Sequence, residues 1–394
     1  MLRRLPPFID SQEPTQREMH AADLALEKCL GGRVRIAIIH DWLRRSNENG
    51  HAAKAGTHDA VELDLLGELD SIRASLAQAG HDAVVFAAED ATHLCDFLSR
   101  HRPQMVFNLC EAFAGSAALE MNVAALFELY GIAHTGCPAL TLGLSLNKPL
   151  TKAVLAASGI RTPAYTVLHQ GQDPSTVHDL TFPLIVKPVA EDASIGIDDG
   201  AVVNDMGALA ERVRFLWREF RQAALVEEFI AGREFCVSVL AVSPTDFVTL
   251  PIVEISFDRL PAGRPHIFGF DAKWNPAAPF NLTIATRCPA RIDKKTADEI
   301  RRVALDVART VGLRDYGRVD FRLRESDHAL FVLEVNPNPD LSDECAFMRA
   351  ARASGRTTEG TICEIVERAI ERCDWLPEKA KVKLPRKAKV RNAA

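Results

Sequence analysis

Short β-branched runs alternate with helical patterns in the first part of the chain. Val34–Asp41 (VRIAIIHD) has the pattern of a buried strand, and DAVVFAAE and Met105–Glu111 predict two further strands. The segments between them have helical spacing, the second over Thr92–Arg100. This order of strand, helix, strand, helix and strand with short links predicts a parallel, doubly wound sheet up to about Pro149.

The order of predicted elements changes after Thr151, where strand-like runs become more frequent than helices. A helix ends at Gly159, and a long helix over Asp205–Gln222 interrupts four strand-like runs, YTVL, PLIVKPV, ALVEEFI and EFCVSVLAV. Two more strand runs, VTLPIVEISF and NLTIATRCP, precede an amphipathic helix over Asp293–Val311. A strand pair and a helix over Gly360–Arg372 follow, and neither half contains an internal repeat.

Three segments fall outside these patterns. Residues 1–33 are polar and carry no strong period, which favours a flexible arm or one loose helix. Arg44–Asp59 is long for a connection in a compact domain, so it is either disordered or a functional lid. From Trp375 to Ala394, seven Lys and Arg residues stand against one Glu, which makes this segment a basic tail.

The composition excludes several classes of protein. Of the 394 residues, 47% are hydrophobic and 25% are charged, with a net charge of -6, which is ordinary for a soluble globular protein. No run approaches the roughly 18 apolar residues of a membrane helix, and the N-terminal segment lacks the apolar stretch of a secretion signal. Nine cysteines without CxxC spacing favour reduced thiols. We therefore expect a cytoplasmic protein with neither a membrane nor a nucleic-acid partner.

The runs GRVDFRL and ALFVLEVN, separated by the polar RESDH, predict a hairpin. The predicted cross-strand pairs are Arg324 with Leu330, Asp320 with Glu334, and Arg318 with Asn336. Strand alternation makes one face apolar, with Val319, Phe321, Leu323, Phe331, Leu333 and Val335. The other face then contains Arg318, Asp320, Arg322, Leu330, Val332, Glu334 and Asn336.

Two directly opposed carboxylates repel each other unless a cation or a shared proton lies between them. Mg²⁺ typically takes one or two carboxylates together with substrate phosphates. The pair Asp320 and Glu334 therefore indicates a magnesium–phosphate site beside Arg318, and the Pro-rich continuation NPNPD stiffens the chain next to it. The alternative interpretation is an ordinary solvated face of the hairpin.

Three lysines precede the acidic hairpin and could supply the cations of a phosphate site. Lys187 lies inside the apolar strand LIVKPV and is followed by the small, flexible EDASIG. Lys148 opens the helix NKPLTK, at a helix N-terminus that itself favours anions. Lys273 stands in GFDAKWN. Each lysine alone is compatible with a surface charge, but together and in this order they favour phosphate binding.

The motifs NK, VKP…S.G, VEEFIAGREF, DAK, GRVDFRL and LEVNPNP, in this order, resemble the ATP-grasp superfamily, and most closely D-alanine–D-alanine ligases and their relatives. The resemblance covers roughly Val34–Cys373. It implies an α/β ATP-grasp fold, with an N-terminal doubly wound (pre-ATP-grasp) domain and two α+β lobes that enclose ATP. The implied divisions are an arm (1–33), a Rossmann-like domain (34–145), a small lobe (146–230), a large lobe with the metal site (231–374) and the tail (375–394).

The resemblance also implies roles for individual residues. Those that would contact ATP are Lys148, Lys187, Ser194, Glu227, Glu228, Phe229, Ile230, Glu234 and Lys273. Among them, Glu227 to Ile230 would form the adenine-facing hinge, and Glu234 would bind the ribose hydroxyls. Asp320, Glu334 and Asn336 would hold two Mg²⁺ ions, with Mn²⁺ as an alternative. Arg318 and Lys273 would be catalytic.

The implied reaction joins a small-molecule carboxylate to an amine. The carboxylate attacks the γ-phosphoryl group of ATP, which gives an acyl phosphate and ADP, and the amine then displaces phosphate. Both steps build negative charge on oxygen, so catalysis needs positioning and cations rather than a Ser or Cys nucleophile. A homodimer is compatible with this resemblance.

The sequence departs from the ligase pattern near the amino-acid site. Ala193 and Trp274 replace a Ser and a Tyr, so two hydroxyl groups are lost, and Asp340 replaces a Gly. Glu111 appears in NLCEAFAG, and Ser342 follows Asp340 closely. We therefore expect a rebuilt, more acidic pocket that includes Glu111, Asp340 and Ser342. The alternative for Asp340 is that it caps the next turn.

Three other functions remain open at this stage. The first is an ATP-grasp ligase for other amino acids or small peptides. The second is a non-catalytic nucleotide-binding relative, which the intact set Arg318, Asp320, Glu334 and Asn336 disfavours. The third is a dinucleotide-binding oxidoreductase, which has little support because no G-x-G-x-x-G follows Val34–Asp41.

Overall fold

The computed structural model describes residues 33–41, 57–191, 194–243, 246–270 and 284–372. Several predictions concern residues outside these ranges: almost all of the N-terminal arm, the basic tail, Ala193, Lys273 and Trp274. Of the predicted long loop Arg44–Asp59, residues 42–56 also lie outside the described ranges. Its last three residues are already helical, so the loop prediction is wrong there. Within the described ranges, no helix is both long enough and apolar enough to cross a membrane.

The first sheet is parallel and has the strand order β2-β1-β3-β4. Its elements are β1 (Arg35–Asp41), α1 (Thr57–Gln78), β2 (Asp82–Ala88), α2 (Ala91–His101), β3 (Met105–Leu109), α3 (Glu120–Leu129) and β4 (Ala133–His134). Apolar clusters cover both faces of the sheet, because alternate residues of β1 and β3 point to opposite sides. The predicted doubly wound sheet is therefore confirmed.

The second sheet is antiparallel, with the order β5-β8-β6-β7 and an apolar cluster of its own. The elements that follow the first sheet along the chain are α4 (Ala139–Leu146), α5 (Lys148–Ala157), β5 (Tyr165–Leu168), β6 (Leu184–Pro188), β7 (Val202–Val203), α6 (Met206–Phe220) and β8 (Ala224–Glu228). Asp205 begins α6, since its carboxylate accepts from the amide of Ala208 at 2.9 Å.

The third sheet is antiparallel, with the order β12-β11-β9-β13-β14 and β10 paired to β9. Its strands are β9 (Gly232–Ala241), β10 (Phe247–Thr249), β11 (Val253–Ser256), β12 (Ala285–Arg287), β13 (Tyr316–Arg324) and β14 (Leu330–Asn336). The helices of this part are α7 (Lys294–Val311), α8 (Ala346–Ala353) and α9 (Thr358–Glu371). The single strand predicted from VTLPIVEISF is wrong: it is divided into β10 and β11 around Pro251, which cannot donate to a ladder.

Helix α7 follows directly from its sequence pattern. Its buried residues recur with the helical period and lie on one face: Ala297, Ile300, Ala304, Val307, Ala308 and Val311. Asp293 caps the start by accepting from the amide of Thr296 at 3.0 Å, and Gly312 ends the helix with a φ of +74°. The apolar face packs against β9, β10 and β13.

The β13–β14 hairpin has the predicted register at its open end. The pairs Arg318 with Asn336 and Asp320 with Glu334 are confirmed. Beyond them a β-bulge makes Leu333 an extra residue on β14, so the pairing changes by one residue toward the turn.

The bulge corrects two predictions about this hairpin. Leu323, not Arg324, lies opposite Leu330. Leu330 and Val332, which strict alternation assigns to the polar face, instead join the core beneath the sheet together with Val335. A one-residue change of register moves side chains to the other face. Phe331, predicted for the apolar face, therefore lies opposite Arg322 instead.

A buried ion pair joins the first and third sheets. Asp315 is 2% exposed and accepts from the amide of Gly136 at 2.9 Å and from both Nε and Nη2 of Arg372, at 2.9 and 2.7 Å. Arg372 also donates to the carbonyl oxygen of His134 at 3.0 Å. Asp315 has a φ of +60°, a conformation that Asp and Asn tolerate better than most residues.

We predict that Asp315→Asn lowers the free energy of unfolding by about 2–4 kcal/mol, because it removes the charge opposite Arg372 and keeps the shape and the backbone conformation. Denaturant unfolding measures this change. The control is Asp298→Asn, whose solvent-exposed pairs with Lys294 and Arg301 should contribute less than about 1 kcal/mol. Equal losses in the two variants would contradict the prediction.

Candidate active site

The open end of the hairpin carries a compact group of polar side chains. Arg318 donates from Nε and Nη2 to the two carboxylate oxygens of Asp320, at 2.8 and 2.9 Å. Asn336 donates to Asp320 Oδ2 at 3.0 Å, and Glu334 lies directly opposite Asp320. Burial opposes the charge of Arg318, but Asp320 raises the pKa of the guanidinium above its usual value. The register of two strands thus assembles four of the predicted site residues.

Helix α5 brings Lys148 to this group. The side chain of Asn147 accepts from the amide of Leu150 at 3.1 Å, which fixes the start of the helix. Lys148 is 6% exposed, and its Nζ lies 2.8 Å from Glu334 Oε1. It also donates to the carbonyl oxygen of Glu191 at 2.5 Å. The lysine predicted to bind phosphate therefore contacts a carboxylate predicted to bind metal.

Lys187 and Glu227 meet on the adjacent strands β6 and β8. Lys187 Nζ lies 2.6 Å from Glu227 Oε1, and Lys152 Nζ of α5 lies 2.8 Å from Glu227 Oε2. Burial alone would raise the pKa of Glu227, but the two lysines outweigh it and hold that pKa below its usual value. The sequence does not single out Lys152, although it stands one helical turn after Lys148 in NKPLTK.

The predicted adenine-facing hinge leads out of β8. Glu228 accepts from the amide of Thr181 at 3.0 Å, and the amide of Phe229 donates to the carbonyl oxygen of Pro183 at 2.9 Å. The side chain of Glu227 points into the lysine cluster described above. The amide of Glu228 also donates to the carbonyl oxygen of Ala164 at 3.0 Å, so the segment is held from both neighbouring strands.

Arg322 of β13 is a site residue without a predicted role. It donates to Glu234 Oε2 from Nε at 2.9 Å and from Nη2 at 2.6 Å, and to the carbonyl oxygen of Ile230 at 3.2 Å. Its guanidinium lies 5.3 Å from the ring centre of Phe229. The sequence does contain a pattern that could have identified this arginine: strand alternation places Arg322 on the same face as Arg318 and Asp320. Glu234, predicted for the ribose, is held by this arginine.

Ser194 lies in the connection after β6. It has a φ of +61°, and its hydroxyl donates to the carbonyl oxygen of Phe268 at 2.9 Å. Gly196 follows with a φ of +75°, and a Cβ there would lie 2.7 Å from Pro188 Cγ. Ser194 therefore connects this turn to the segment that ends at residue 270. Lys273, predicted for the same nucleotide, lies outside the described residues.

The three predicted substrate residues lie on two connections that a single side chain joins. Glu111 directly follows Cys110, whose carbonyl oxygen accepts from Asn338 Nδ2 at 3.0 Å. Asn338 also accepts from the buried Tyr316 hydroxyl at 2.9 Å. Asp340 Oδ1 accepts from the amide of Ser342 at 2.7 Å. Asp340 therefore caps a local turn, as the alternative interpretation expects, on the same connection as Asn338.

The donor atoms at the hairpin suit a hard divalent cation. In the described part of the chain no group of three or more His, Cys, Asp or Glu residues forms a metal cluster. Asp320, Glu334 and Asn336 instead offer two opposed carboxylates and an amide, and oxygen donors of this kind are those that Mg²⁺ prefers. The present partners of these residues are cations and amide hydrogens, which a metal ion can replace.

The comparisons with known proteins agree with one another. The family model described as D-ala D-ala ligase C-terminus matches residues 154–367. The uncharacterised protein y4sG of Sinorhizobium fredii is 33% identical over 311 residues, which is 77% of this chain and 87% of that protein. A D-alanine--D-alanine ligase of Bordetella petrii is 30% identical over 295 residues, which is 73% of this chain and 85% of that enzyme.

The chain belongs to the D-alanine–D-alanine ligase family. A crystal structure of the D-alanine--D-alanine ligase of Bacillus anthracis complexed with ATP covers 86% of this chain and 97% of its own, with a TM-score of 0.63 at 19% identity. The predicted ATP-grasp fold is thereby confirmed. The family model matches from residue 154, so it does not include Lys148 or Lys152. The contacts of these two lysines with Glu334 and Glu227 come from the structure alone.

Proposed function

We propose that this protein is an ATP-dependent ligase that joins a carboxylate to an amine through an acyl phosphate and releases ADP and phosphate. The observation that carries the proposal is the contact of Lys148 with Glu334, beside Arg318 and Asp320. Phosphoryl transfer needs cations and metal-binding carboxylates at one point in space, and two sequence-distant elements supply them there. Membership of a family whose curated members include D-alanine--D-alanine ligases supports the same class.

ATP would bind where the second and third sheets face each other. Lys148 and Lys187 would contact its phosphates, and Ser194 and Lys273 would contribute from two connections. Adenine would contact the backbone groups of Glu227–Ile230, which Arg322 and neighbouring strands hold in place. Glu234 would accept from the ribose hydroxyls while Arg322 fixes its orientation.

Asp320, Glu334 and Asn336 would hold two Mg²⁺ ions, or Mn²⁺ in their place, which would supply positive charge to the phosphoryl oxygens. Arg318 would stabilise the negative charge that develops on the acyl phosphate and then on the oxyanion, since its guanidinium is held rigidly by Asp320. The substrate carboxylate performs the attack on phosphorus, and the amine displaces phosphate. No step requires a protein nucleophile.

The amine substrate would carry an extra positive group. Asp340, Glu111 and Ser342 lie on the two connections that Asn338 joins, and a carboxylate in a pocket attracts a cation more strongly than in bulk water. The division into domains at 34–145, 146–230 and 231–374, a cytoplasmic location and a homodimer belong to the same proposal.

The proposal is tested by measuring ADP release over a panel of amino acids and small peptides, with mass spectrometry of the products. We expect ADP release above background when a suitable carboxylate and amine are present, and a product mass equal to their sum less one water. A protein that binds ATP but releases no ADP with any pair would instead be a non-catalytic nucleotide-binding relative.

We predict that Glu334→Gln lowers turnover by at least about 100-fold, since even indirect partners of metal ligands commonly contribute 10- to 100-fold. The substitution removes a metal-ligand charge with little change of volume. It also removes the carboxylate beside the buried Lys148, so the melting temperature should fall somewhat while the variant stays folded at the assay temperature. ATP binding should also lose its dependence on Mg²⁺. The matched control is Glu325→Gln on the exposed turn of the same hairpin, and a full rate for Glu334→Gln would contradict the metal assignment.

We predict that Asp340→Asn reduces the preference for basic over neutral amines by about 5- to 10-fold, which corresponds to roughly 1 kcal/mol of electrostatic selectivity. Asn keeps an oxygen that can accept from the amide of Ser342, so the turn is preserved and only the charge is lost. Comparing kcat/KM across the amine panel measures the effect. An unchanged preference would leave Asp340 with the turn-capping role alone.

A further inference from the structure

Lys152 is a buried lysine that the proposed reaction does not use. It stands on α5 one turn after Lys148, and it is 2% exposed. Its Nζ lies 2.8 Å from Glu227 Oε2 and donates to the hydroxyl of Thr162 at 2.7 Å. Lysine is almost never fully buried unless it is paired, so the position of Lys152 needs an explanation.

Glu227 divides its two oxygens between two lysines. Oε2 faces Lys152, and Oε1 faces Lys187 at 2.6 Å. Glu227 is itself 1% exposed, so water does not screen its charge. A carboxylate buried in this way must have a cation beside it. Either lysine alone would satisfy that requirement.

The cluster therefore contains one more cation than it needs. Two ammonium groups around one carboxylate leave a net positive charge in a region that excludes water. Burial lowers the pKa of Lys152 to about 8, and the Glu227 carboxylate at 2.8 Å opposes the shift by favouring the charged ammonium group. The two lysines differ in position: Lys152 is additionally bound to Thr162, whereas Lys187 stands on β6, just before the connection that leads to Ser194.

We propose that Lys152 is a positioning residue that neutralises Glu227, so that the ammonium group of Lys187 remains available to the phosphates of a bound nucleotide. The inference rests on the proposed function, because it needs a nucleotide at this site. Without Lys152, the buried carboxylate would have Lys187 as its cation, and the pair would be electrically neutral. A nucleotide would then have to compete with Glu227 for Lys187.

The test compares Lys152→Met with the double variant Lys152→Met/Glu227→Gln in the full chain. Calorimetry measures the affinity for ATP with Mg²⁺, and steady-state assays measure KM for ATP and for the amine. We expect Lys152→Met to weaken ATP binding about 10-fold or more and to leave the KM of the amine unchanged. The double variant should recover to within about threefold of the parent, because a neutral side chain no longer retains Lys187.

The matched control is Lys294→Met, the same substitution at an exposed lysine paired with Asp298, which should bind ATP like the parent. Unchanged affinity in Lys152→Met would overturn the inference. So would a double variant as weak as the single one, since Lys152 would then act on the nucleotide directly or only through the fold.

Two further outcomes keep the test decisive. If Lys152→Met does not fold, the double variant decides alone, because it removes the carboxylate together with the lysine that lies against it: near-parental affinity supports the inference, and lost affinity overturns it. If the parent itself does not bind ATP, the proposed function fails and the inference fails with it. Binding by the parent with no effect of Lys152→Met overturns the inference alone.

Discussion

The candidate site is organised by one constraint: a charge removed from water must lie against an opposite charge. The pairs that satisfy it are Lys148–Glu334, Lys152–Glu227, Lys187–Glu227, Arg318–Asp320 and Arg322–Glu234. Most of these side chains are less than one-fifth exposed, so removing one partner of a pair would leave an uncompensated buried charge, except at Glu227, which has two lysines. The positions of the ionic groups are therefore determined together rather than one by one.

These pairs also connect elements that belong to different sheets. Helix α5 reaches β14 of the third sheet through Lys148, and it reaches β8 of the second sheet through Lys152. Arg322 joins β13 to β9 and to the carbonyl oxygen of Ile230, at the end of the second sheet. The surfaces that would enclose a nucleotide are thus joined, before it binds, by the charged groups that would act on it.

Local patterns predict part of this arrangement, and long-range contacts account for the rest. Alternation along two strands suffices to place Asp320 opposite Glu334, because side-chain direction has a period of two in a strand. The same rule fails at Leu333, where a β-bulge interrupts the period of two. Leucine is common in regular strands, so the sequence does not predict this bulge. The partner of Arg322 lies 88 positions away in sequence. Pairings across such separations depend on how the sheets pack, which hydrophobic patterning leaves open.

The ionic groups at the site suggest why nucleotide and metal would bind together. The pairs above contain five cationic side chains and four carboxylates, because Glu227 lies against two lysines. On the proposed function, Lys148 and Lys187 would turn to phosphate oxygens. Glu227 would keep Lys152, and Glu334 would exchange its contact with Lys148 for one with a divalent cation. The same exchange would therefore couple the binding of nucleotide to the binding of metal.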